Sequence, residues 1–334
     1  MNVKTENIMI QTLCVPCGCR CRYCLLSWDG KVLGAPWERS KRFALRFMSE
    51  LKSFAPEIPC SLSFGYSMEH PDLREAIRFL KEIGSPQAEF LQCDGMKERN
   101  GEECRELVLM LREEGIKHLN FTVYGLPAYH DKFAGRKGDF ELICRMMRIA
   151  QDAGLMVSAG VPLTSENVSC AGELAELLKA KGTSVRFFIP HEEGRGKALS
   201  AARLKESELA ILPRDLSSLL SRSAYKSERE WISEGVLEET KRTLIISLRE
   251  DNICRYEGMS AEEIVKEIED LDDAYYSAFP SFSDLAAEYG DPEGELMYGR
   301  RDLFYHYRKA YEMEYNIDVY DVTDERQSGS RRYT

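Results

Sequence analysis

The chain lacks any long apolar run. No stretch reaches the 18 or more apolar residues that a membrane-spanning helix needs, so we expect no membrane partner. The first six residues are mostly polar, so we expect no secretory leader. The 11 cysteines are an odd number, which does not favour a disulfide framework. Together these absences predict a protein of a reducing compartment, and therefore a cytoplasmic location.

An excess of positive charge is also missing. The chain has 45 Lys and Arg residues against 56 Asp and Glu, a formal net charge of −11. A broad phosphate-binding surface needs the opposite balance, so we expect no nucleic-acid partner. With 334 residues, 43% of them hydrophobic, the chain is long enough for one large domain, or for one plus a smaller one.

Three closely spaced cysteines are the strongest signal that is present. Cys17, Cys21 and Cys24 form the pattern C-x3-C-x2-C directly after the apolar run 8–15. Thiolates are soft ligands that suit iron–sulfur clusters. Three of them bind three irons of a [4Fe–4S] cube and leave the fourth iron open to a small molecule.

A zinc site is the main alternative for these cysteines. Zinc is usually held by four ligands at close spacing, such as a second C-x2-C pair or two histidines. No second pair follows nearby, although Cys14 and Cys19 could add thiols. A non-catalytic protein that carries an iron–sulfur cluster or zinc therefore stays open beside an enzyme.

Apolar runs alternate with helical patterns through the first 200 residues. Helical spacing of apolar residues occurs between most of the runs, for example over 71–83, 102–114 and 140–153. Repeated strand–helix units predict an α/β fold, a parallel sheet with helices outside it. The predicted strands are 8–15, 60–65, 89–93, 118–124, 156–162 and 185–189.

The rest of the chain has a different, mainly helical pattern. Helices are predicted over 204–223, 260–271 and 302–315, and a strand over 243–248. Residues 260–263 predict a capping box at Ser260, and the final helix is rich in tyrosine. Residues 324–334 are polar, so we expect a disordered tail. We therefore divide the chain into a core (1–204), a substrate-covering C-terminal region (205–323) and the tail.

The cysteine loop resembles the signature of the radical S-adenosylmethionine (SAM) superfamily, in which an aromatic residue, here Tyr23, precedes the last cysteine. The resemblance covers about residues 8–200. It implies a partial (β/α)6 TIM-like barrel with a [4Fe–4S] cluster on Cys17, Cys21 and Cys24, and with SAM as second cofactor. It also implies reductive cleavage of SAM to a 5′-deoxyadenosyl radical that abstracts hydrogen from a substrate.

The resemblance also implies contacts to SAM. The stretch 65–71 is similar to a glycine-rich GGEP-like motif, with Ser67 and Met68 in place of two glycines, and Glu69 is expected to bind the SAM amino group. Tyr124 stands where the family has an acidic residue. The expected cofactor-binding residues are Tyr23, Ser67, Glu69, Thr122 for the ribose, Ser158 near the adenine, and Arg186 for the carboxylate.

The substrate is the least determined part. Cys254 alone lies beyond Cys170, so the C-terminal cysteine clusters of the SPASM and twitch subfamilies are missing. We therefore expect a small-molecule or short-peptide substrate, with a ribosomal-peptide-modifying enzyme as the alternative. Flavodoxin or ferredoxin is the expected electron donor. Cys93 and Cys254 are candidate hydrogen-atom donors, and a structural thiol is the alternative for each.

Overall fold

The computed structural model describes residues 4–12, 17–24, 34–63, 68–191, 199–235 and 241–317. The predictions for Cys14, for Ser67 and for the tail 324–334 fall outside these residues.

Nine strands occur within these ranges, and the first six correspond to the six predicted runs. The strands are β1 (Lys4–Thr12), β2 (Cys60–Ser63), β3 (Phe90–Gln92), β4 (His118–Thr122), β5 (Met156–Pro162), β6 (Ser184–Phe188), β7 (Tyr225–Ser227), β8 (Lys241–Leu248) and β9 (Met297–Gly299).

Thirteen α-helices occur in the described part of the chain, in addition to a short 3₁₀ turn at Pro86–Glu89. The helices are α1 (Trp37–Phe54), α2 (Leu73–Glu82), α3 (Gly101–Glu113), α4 (Pro127–Ala134), α5 (Asp139–Asp152), α6 (Val168–Lys179), α7 (Glu206–Leu209), α8 (Arg214–Ser217), α9 (Glu228–Ser233), α10 (Ile253–Glu257), α11 (Ala261–Ser277), α12 (Phe282–Tyr289) and α13 (Arg300–Tyr315).

The strands β1 to β6 and β8 form two parallel sheets. One has the order β2-β1-β8 and the other the order β3-β4-β5-β6. The predicted α/β class, with parallel sheets and a helical C-terminal region, is confirmed. Strands β1 to β6 follow chain order within their sheets, and β8 lies on the side of β1 away from β2. The partial (β/α)6 barrel stays a prediction with which these parallel sheets are compatible.

Strand β8 is the unexpected member of the first sheet. It was predicted as a strand, but its sequence did not indicate a neighbour. It lies parallel to β1, with Ile8 opposite Leu244 and Ile10 opposite Ile246. These four side chains are at most 1% exposed. The C-terminal region therefore supplies a strand to the sheet from which the cysteine loop starts.

Strands β4 and β5 have two unlike faces. Leu119 and Phe121 of β4 are fully buried in the main hydrophobic core, where α5 packs with Met146 and Ala150. The alternate positions of β4 carry the polar side chains of His118, Asn120 and Thr122, and Ser158 of β5 lies opposite Asn120. We call this second surface the polar face and define it by Gln92, Asn120, Thr122 and Ser158. Alternation along a strand thus separates core packing from a surface able to bind a polar ligand.

The C-terminal region has a second, smaller core. It is formed by side chains of α9, α12, α13 and β9, namely Trp231, Phe282, Leu285, Tyr298, Leu303 and Tyr307. The Trp231 indole N–H donates to the Tyr298 carbonyl at 3.0 Å, and the Tyr307 hydroxyl donates to Glu228 at 2.7 Å. The predicted tyrosine-rich final helix is α13, and its Tyr307 is part of this core, with Tyr311 packed against it.

Two details of the C-terminal prediction can be compared with the structure. The continuous helix predicted over 204–223 is wrong, because two one-turn helices, α7 and α8, occupy this stretch. Pro213 immediately precedes α8 and has no N–H to donate to a preceding turn. The capping box predicted at Ser260 is confirmed, since its hydroxyl accepts from the Glu263 amide and Glu263 accepts from the Ser260 amide.

None of the helices that the structure describes is long and apolar enough to cross a membrane.

Candidate active site

The cysteine loop lies against the ends of β3 and β4. The Gly18 amide donates to the Gly95 carbonyl at 2.7 Å, just after β3. The Arg20 and Arg22 amides donate to carbonyls at the end of α4, at 2.7 and 3.0 Å. A Cβ atom at position 18 would lie 2.7 Å from the Met96 carbonyl oxygen, so the close approach requires glycine. The loop is therefore held on the edge where the parallel strands end.

The thiols of this loop are packed close together. Cys17, Cys21 and Cys24 are partly buried, whereas Cys19 is 4% exposed. A hydrogen bond with the Cys19 thiol and burial raise the pKa of Cys17 well above its ordinary value. For Cys19, the hydrogen bond with Cys17 lowers the pKa, whereas the hydrogen bond with Cys21 and burial raise it by more. Metal uptake by such thiols must release protons.

The donor set fits an iron–sulfur cluster in its chemistry. Three partly buried thiols from one loop, Cys17, Cys21 and Cys24, are the ligand type that such clusters use. Within the described ranges, no group of three or more His, Cys, Asp or Glu side chains is arranged to hold a metal ion. Ligation by these three cysteines stays a prediction that the type of donor supports.

A buried tyrosine contacts one of the loop cysteines. The Tyr124 hydroxyl, just after β4, donates a hydrogen bond to Cys21 Sγ at 3.1 Å. Tyr124 is 4% exposed, and burial raises the pKa of its hydroxyl, so the hydroxyl keeps its proton. The predicted cofactor-binding residue Tyr23 packs edge-on against the Tyr124 ring, with centroids 5.6 Å apart. The aromatic residue of the cysteine motif thus packs against Tyr124.

A network of polar and charged side chains, His130, Asp139 and Arg136, lies against the cysteine loop. His130 Nδ1 accepts from the Tyr124 amide at 3.1 Å, so its proton lies on Nε2, which donates to Asp139 Oδ2 at 3.0 Å. Arg136 pairs with the other Asp139 oxygen, with Nε 3.1 Å away. Burial raises the pKa of Asp139, but the bonds from His130 and Arg136 outweigh it, and the pKa is lowered. The Cys19 thiol lies 3.7 Å from Asp139 Oδ2.

The predicted SAM ligand Glu69 already has protein partners. It is paired with Arg99, with Nη2 2.8 Å from Oε2, and it accepts from the Lys97 amide at 2.9 Å. The side chains of Glu69 and Arg99 are 7% and 10% exposed. These bonds tie Glu69 to the segment after β3 that also contacts the cysteine loop.

Thr122 lies at the end of β4 and bonds to a carboxylate that the sequence did not single out. Its amide and hydroxyl donate to the two oxygens of Asp94, each at 2.8 Å, and Gln92 donates to Asp94 at 2.7 Å. Burial raises the pKa of Asp94, and the bonds from Thr122 oppose the rise only in part. A ligand would meet the Thr122 hydroxyl as an acceptor, because its proton is already donated.

The predicted adenine contact Ser158 belongs to the same polar network. Its hydroxyl donates to Asn120 at 2.7 Å and lies 2.7 Å from His118 Nε2. Asn120 in turn donates to Gln92. The polar face is therefore one connected chain of hydrogen bonds across β3, β4 and β5.

Arg186 shares this face. Register places Thr122 opposite Gly160 and Gly160 opposite Arg186, so all three lie in one row across β4, β5 and β6. Arg186 is exposed, and a Cβ atom at Gly160 would lie 3.8 Å from its Nε. The structure thus brings together Thr122, Ser158 and Arg186, three of the predicted cofactor-binding residues.

The two candidate hydrogen donors lie elsewhere. Cys93 is fully buried in the main core, and its thiol donates to the Leu91 carbonyl at 3.6 Å. Cys254 is exposed on α10, where Arg39 of α1 donates to its sulfur at 3.2 Å. Cys93 thus lies in the core and Cys254 on the surface, and the hydrogen-donor role of each stays a prediction.

Gln92, Asp94 and Asn120 were missed as site residues. A signal for them exists in β4, where Asn120 and Thr122 alternate with Leu119 and Phe121. Strands of a parallel sheet covered on both faces are apolar throughout, so regular alternation indicates a polar interior surface.

Comparison with known proteins gives one family for this region. Residues 15–178 match the model of the Radical SAM superfamily. The chain is 27% identical over 110 residues to an Fe-coproporphyrin III synthase of Methanosarcina barkeri (strain Fusaro / DSM 804). That match covers 32% of this chain and 28% of the length of the relative.

Similar solved structures include those of SuiB and HemN. SuiB of Streptococcus suis bound to the precursor peptide SuiA is 12% identical with a TM-score of 0.45, over 72% of this chain and 50% of SuiB. Coproporphyrinogen III oxidase (HemN) from Escherichia coli, titled a radical SAM enzyme, is 11% identical with a TM-score of 0.42, over 94% of this chain and 91% of HemN.

Proposed function

Because this chain belongs to the radical SAM superfamily, we propose that it is an enzyme that cleaves SAM reductively. The radical so formed would abstract hydrogen from a small-molecule or short-peptide substrate. Enzymes of this superfamily use a [4Fe–4S] cluster together with SAM. When bound, the cluster offers an open iron site and supplies one electron for the cleavage.

One observation carries the proposal. The loop that contains Cys17, Cys21 and Cys24 is held by main-chain hydrogen bonds at the ends of the strands, beside the polar face. Ligands bind at this edge in parallel α/β folds, because the strand ends and loops leave a crevice there.

The residues of this edge have separate roles in the proposal. The three cysteines hold the cluster. Glu69, oriented by Arg99, accepts hydrogen bonds from the SAM amino group, and the Thr122 hydroxyl accepts one from the ribose. Arg186 is an exposed cation in the same row as Thr122, and it pairs with the SAM carboxylate.

The remaining groups shape the binding surface. Gly160 lies in the same row as Arg186, and a Cβ atom there would come within 3.2 Å of the Phe188 ring, so a side chain would crowd this part of the surface. Ser158, two residues before it on β5, is the proposed adenine contact. Tyr23 packs edge-on against Tyr124 beside the cysteine loop. Flavodoxin or ferredoxin is the proposed electron donor.

The test is formation of 5′-deoxyadenosine. The protein is purified without oxygen, its cluster is reconstituted, and dithionite and SAM are added. We expect 5′-deoxyadenosine from the wild type and none from the triple variant Cys17→Ala, Cys21→Ala, Cys24→Ala.

A second triple variant serves as the control. Cys60, Cys144 and Cys170 are also partly buried thiols, but they lie outside the loop, so their replacement by alanine should retain the activity. A wild type that takes up iron, yet neither cleaves SAM nor changes its cluster spectrum on SAM addition, would instead be a structural or electron-transfer protein.

A further inference from the structure

We propose that Tyr124 is a positioning residue whose hydroxyl raises the reduction potential of the cluster through the Cys21 sulfur. The inference rests on the proposed function, in which Cys21 is a cluster ligand. Its basis is the hydrogen bond from Tyr124 Oη to Cys21 Sγ, 3.1 Å long.

The position of this hydroxyl is fixed by the backbone of Tyr124. The Tyr124 amide donates to His130 Nδ1 at 3.1 Å, and its carbonyl accepts from Asn167 Nδ2 at 2.8 Å. Asn167 is 2% exposed and also donates to the Pro162 carbonyl at 2.7 Å, which ties the residue to the end of β5. Both main-chain polar groups of Tyr124 are therefore held by buried side chains.

The ring is held as firmly as the backbone. It stacks on Phe133 with centroids 4.5 Å apart, and it lies 5.0 Å from the His130 ring. With 4% of the residue exposed, water has little access to the hydroxyl. The hydrogen bond to Cys21 is thus made by a group that is already oriented, so little conformational entropy is lost when it forms.

The expected effect on the cluster follows from charge. A donor on a ligand sulfur stabilises the more negative, reduced form and so raises the potential. Phenylalanine at position 124 would keep the stacked ring and remove only the donor. The potential should then become more negative, and the cluster harder to reduce.

Tyr129 offers a matched control. Its ring packs on the same Phe133 ring, with centroids 5.9 Å apart, but its hydroxyl donates to Glu166 at 3.0 Å. Tyr129→Phe removes a phenol hydroxyl from the same aromatic patch without removing a bond to a cysteine. A general loosening of the patch would affect both variants, whereas the proposed effect is specific to Tyr124→Phe.

The experiment is a redox titration of reconstituted protein, followed by electron paramagnetic resonance. We expect wild type and Tyr129→Phe to share one midpoint potential, and Tyr124→Phe to titrate at a more negative one with the same iron content. Equal potentials in all three proteins would overturn the role of Tyr124. A wild type that incorporates no iron and sulfide would overturn the proposed function itself, which is a distinguishable result.

A second substitution covers the case in which Tyr124→Phe does not retain the cluster. Replacing Tyr124 by 3-fluorotyrosine keeps the ring and the hydroxyl but makes the hydroxyl a stronger donor. The midpoint potential should then move in the positive direction, and an unchanged potential would contradict the proposal.

Discussion

Two carboxylates beside the cysteine loop lie in unlike surroundings. Asp94, at the polar face, accepts hydrogen bonds from the neutral side chains of Gln92 and Thr122, and burial raises its pKa. Asp139, beneath the loop, is bonded to His130 and Arg136, and its pKa is lowered in spite of burial. The charge of Arg136 helps to hold the pKa of Asp139 down, whereas the neutral donors to Asp94 do not offset burial. The carboxylate that supports the loop is therefore held in an ion pair, and the carboxylate at the polar face is held by neutral donors.

The largest effect is expected from removing the charge beneath the loop. Asp139→Asn should lower the free energy of unfolding of the cluster-free protein by about 3 kcal/mol at pH 7, because Arg136 and His130 lose a charged partner. Urea unfolding measures the change.

The pH dependence of this loss has a definite sign. The folded pKa of Asp139 lies below its ordinary value of 3.8, so its stabilisation is complete above that pH and is lost as the pH falls through the folded pKa. The difference between wild type and Asp139→Asn should therefore shrink in acid. A difference that stays constant from pH 7 to pH 3 would contradict the ionic role.

A smaller effect on stability is expected at the polar face. Thr122→Val removes the hydroxyl that donates to Asp94, which should cost about 1 kcal/mol in urea unfolding. The same hydroxyl is the proposed contact to the SAM ribose. Calorimetric titration of reconstituted protein should show SAM affinity weakened by roughly 3- to 10-fold. Unchanged affinity in a folded variant would remove Thr122 from the SAM site.

The smallest effect of charge should come from Asp94→Asn. Because the folded pKa of Asp94 is raised, the loss of its charge should not by itself lower the free energy of unfolding at pH 7, and any destabilisation comes from the hydrogen bonds that the new amide cannot accept. Because the folded pKa lies above 3.8, wild type should gain stability relative to this variant as the pH falls through the folded pKa toward 3.8. Equal pH slopes for Asp94→Asn and Asp139→Asn would remove the contrast between the two carboxylates.

The sequence predicts those elements that depend on local pattern alone. Strand β5 occurs over the residues that were predicted, and helices α3 and α5 begin and end within one residue of their predicted bounds. Short-range apolar spacing is sufficient for α3 and α5, since each buries one helix face. Strand β5 is a short apolar run whose last four residues are all buried.

Features that depend on residues far apart in the sequence could not be predicted. The pairing of β8 with β1, and the bond from Tyr124 to Cys21, join positions far apart in the chain. Glu69 matched a motif, but the Arg99 that pairs with it belongs to another segment and gave no signal. Side-chain networks such as that of Asp94 need the register of neighbouring strands, which a single sequence does not contain.

The place of β8 has a consequence for the order of events during synthesis on the ribosome. The cysteine loop follows β1 and emerges early, but β1 pairs with β8, for instance Ile8 with Leu244, so its sheet is complete only after most of the chain has been made. Such long-range parallel pairing folds slowly, because a large loop must close first. Until then the edge of β1 is unpaired and open to aggregation. Slow growth or chaperone supply during expression should therefore improve the yield of folded protein ready for iron loading.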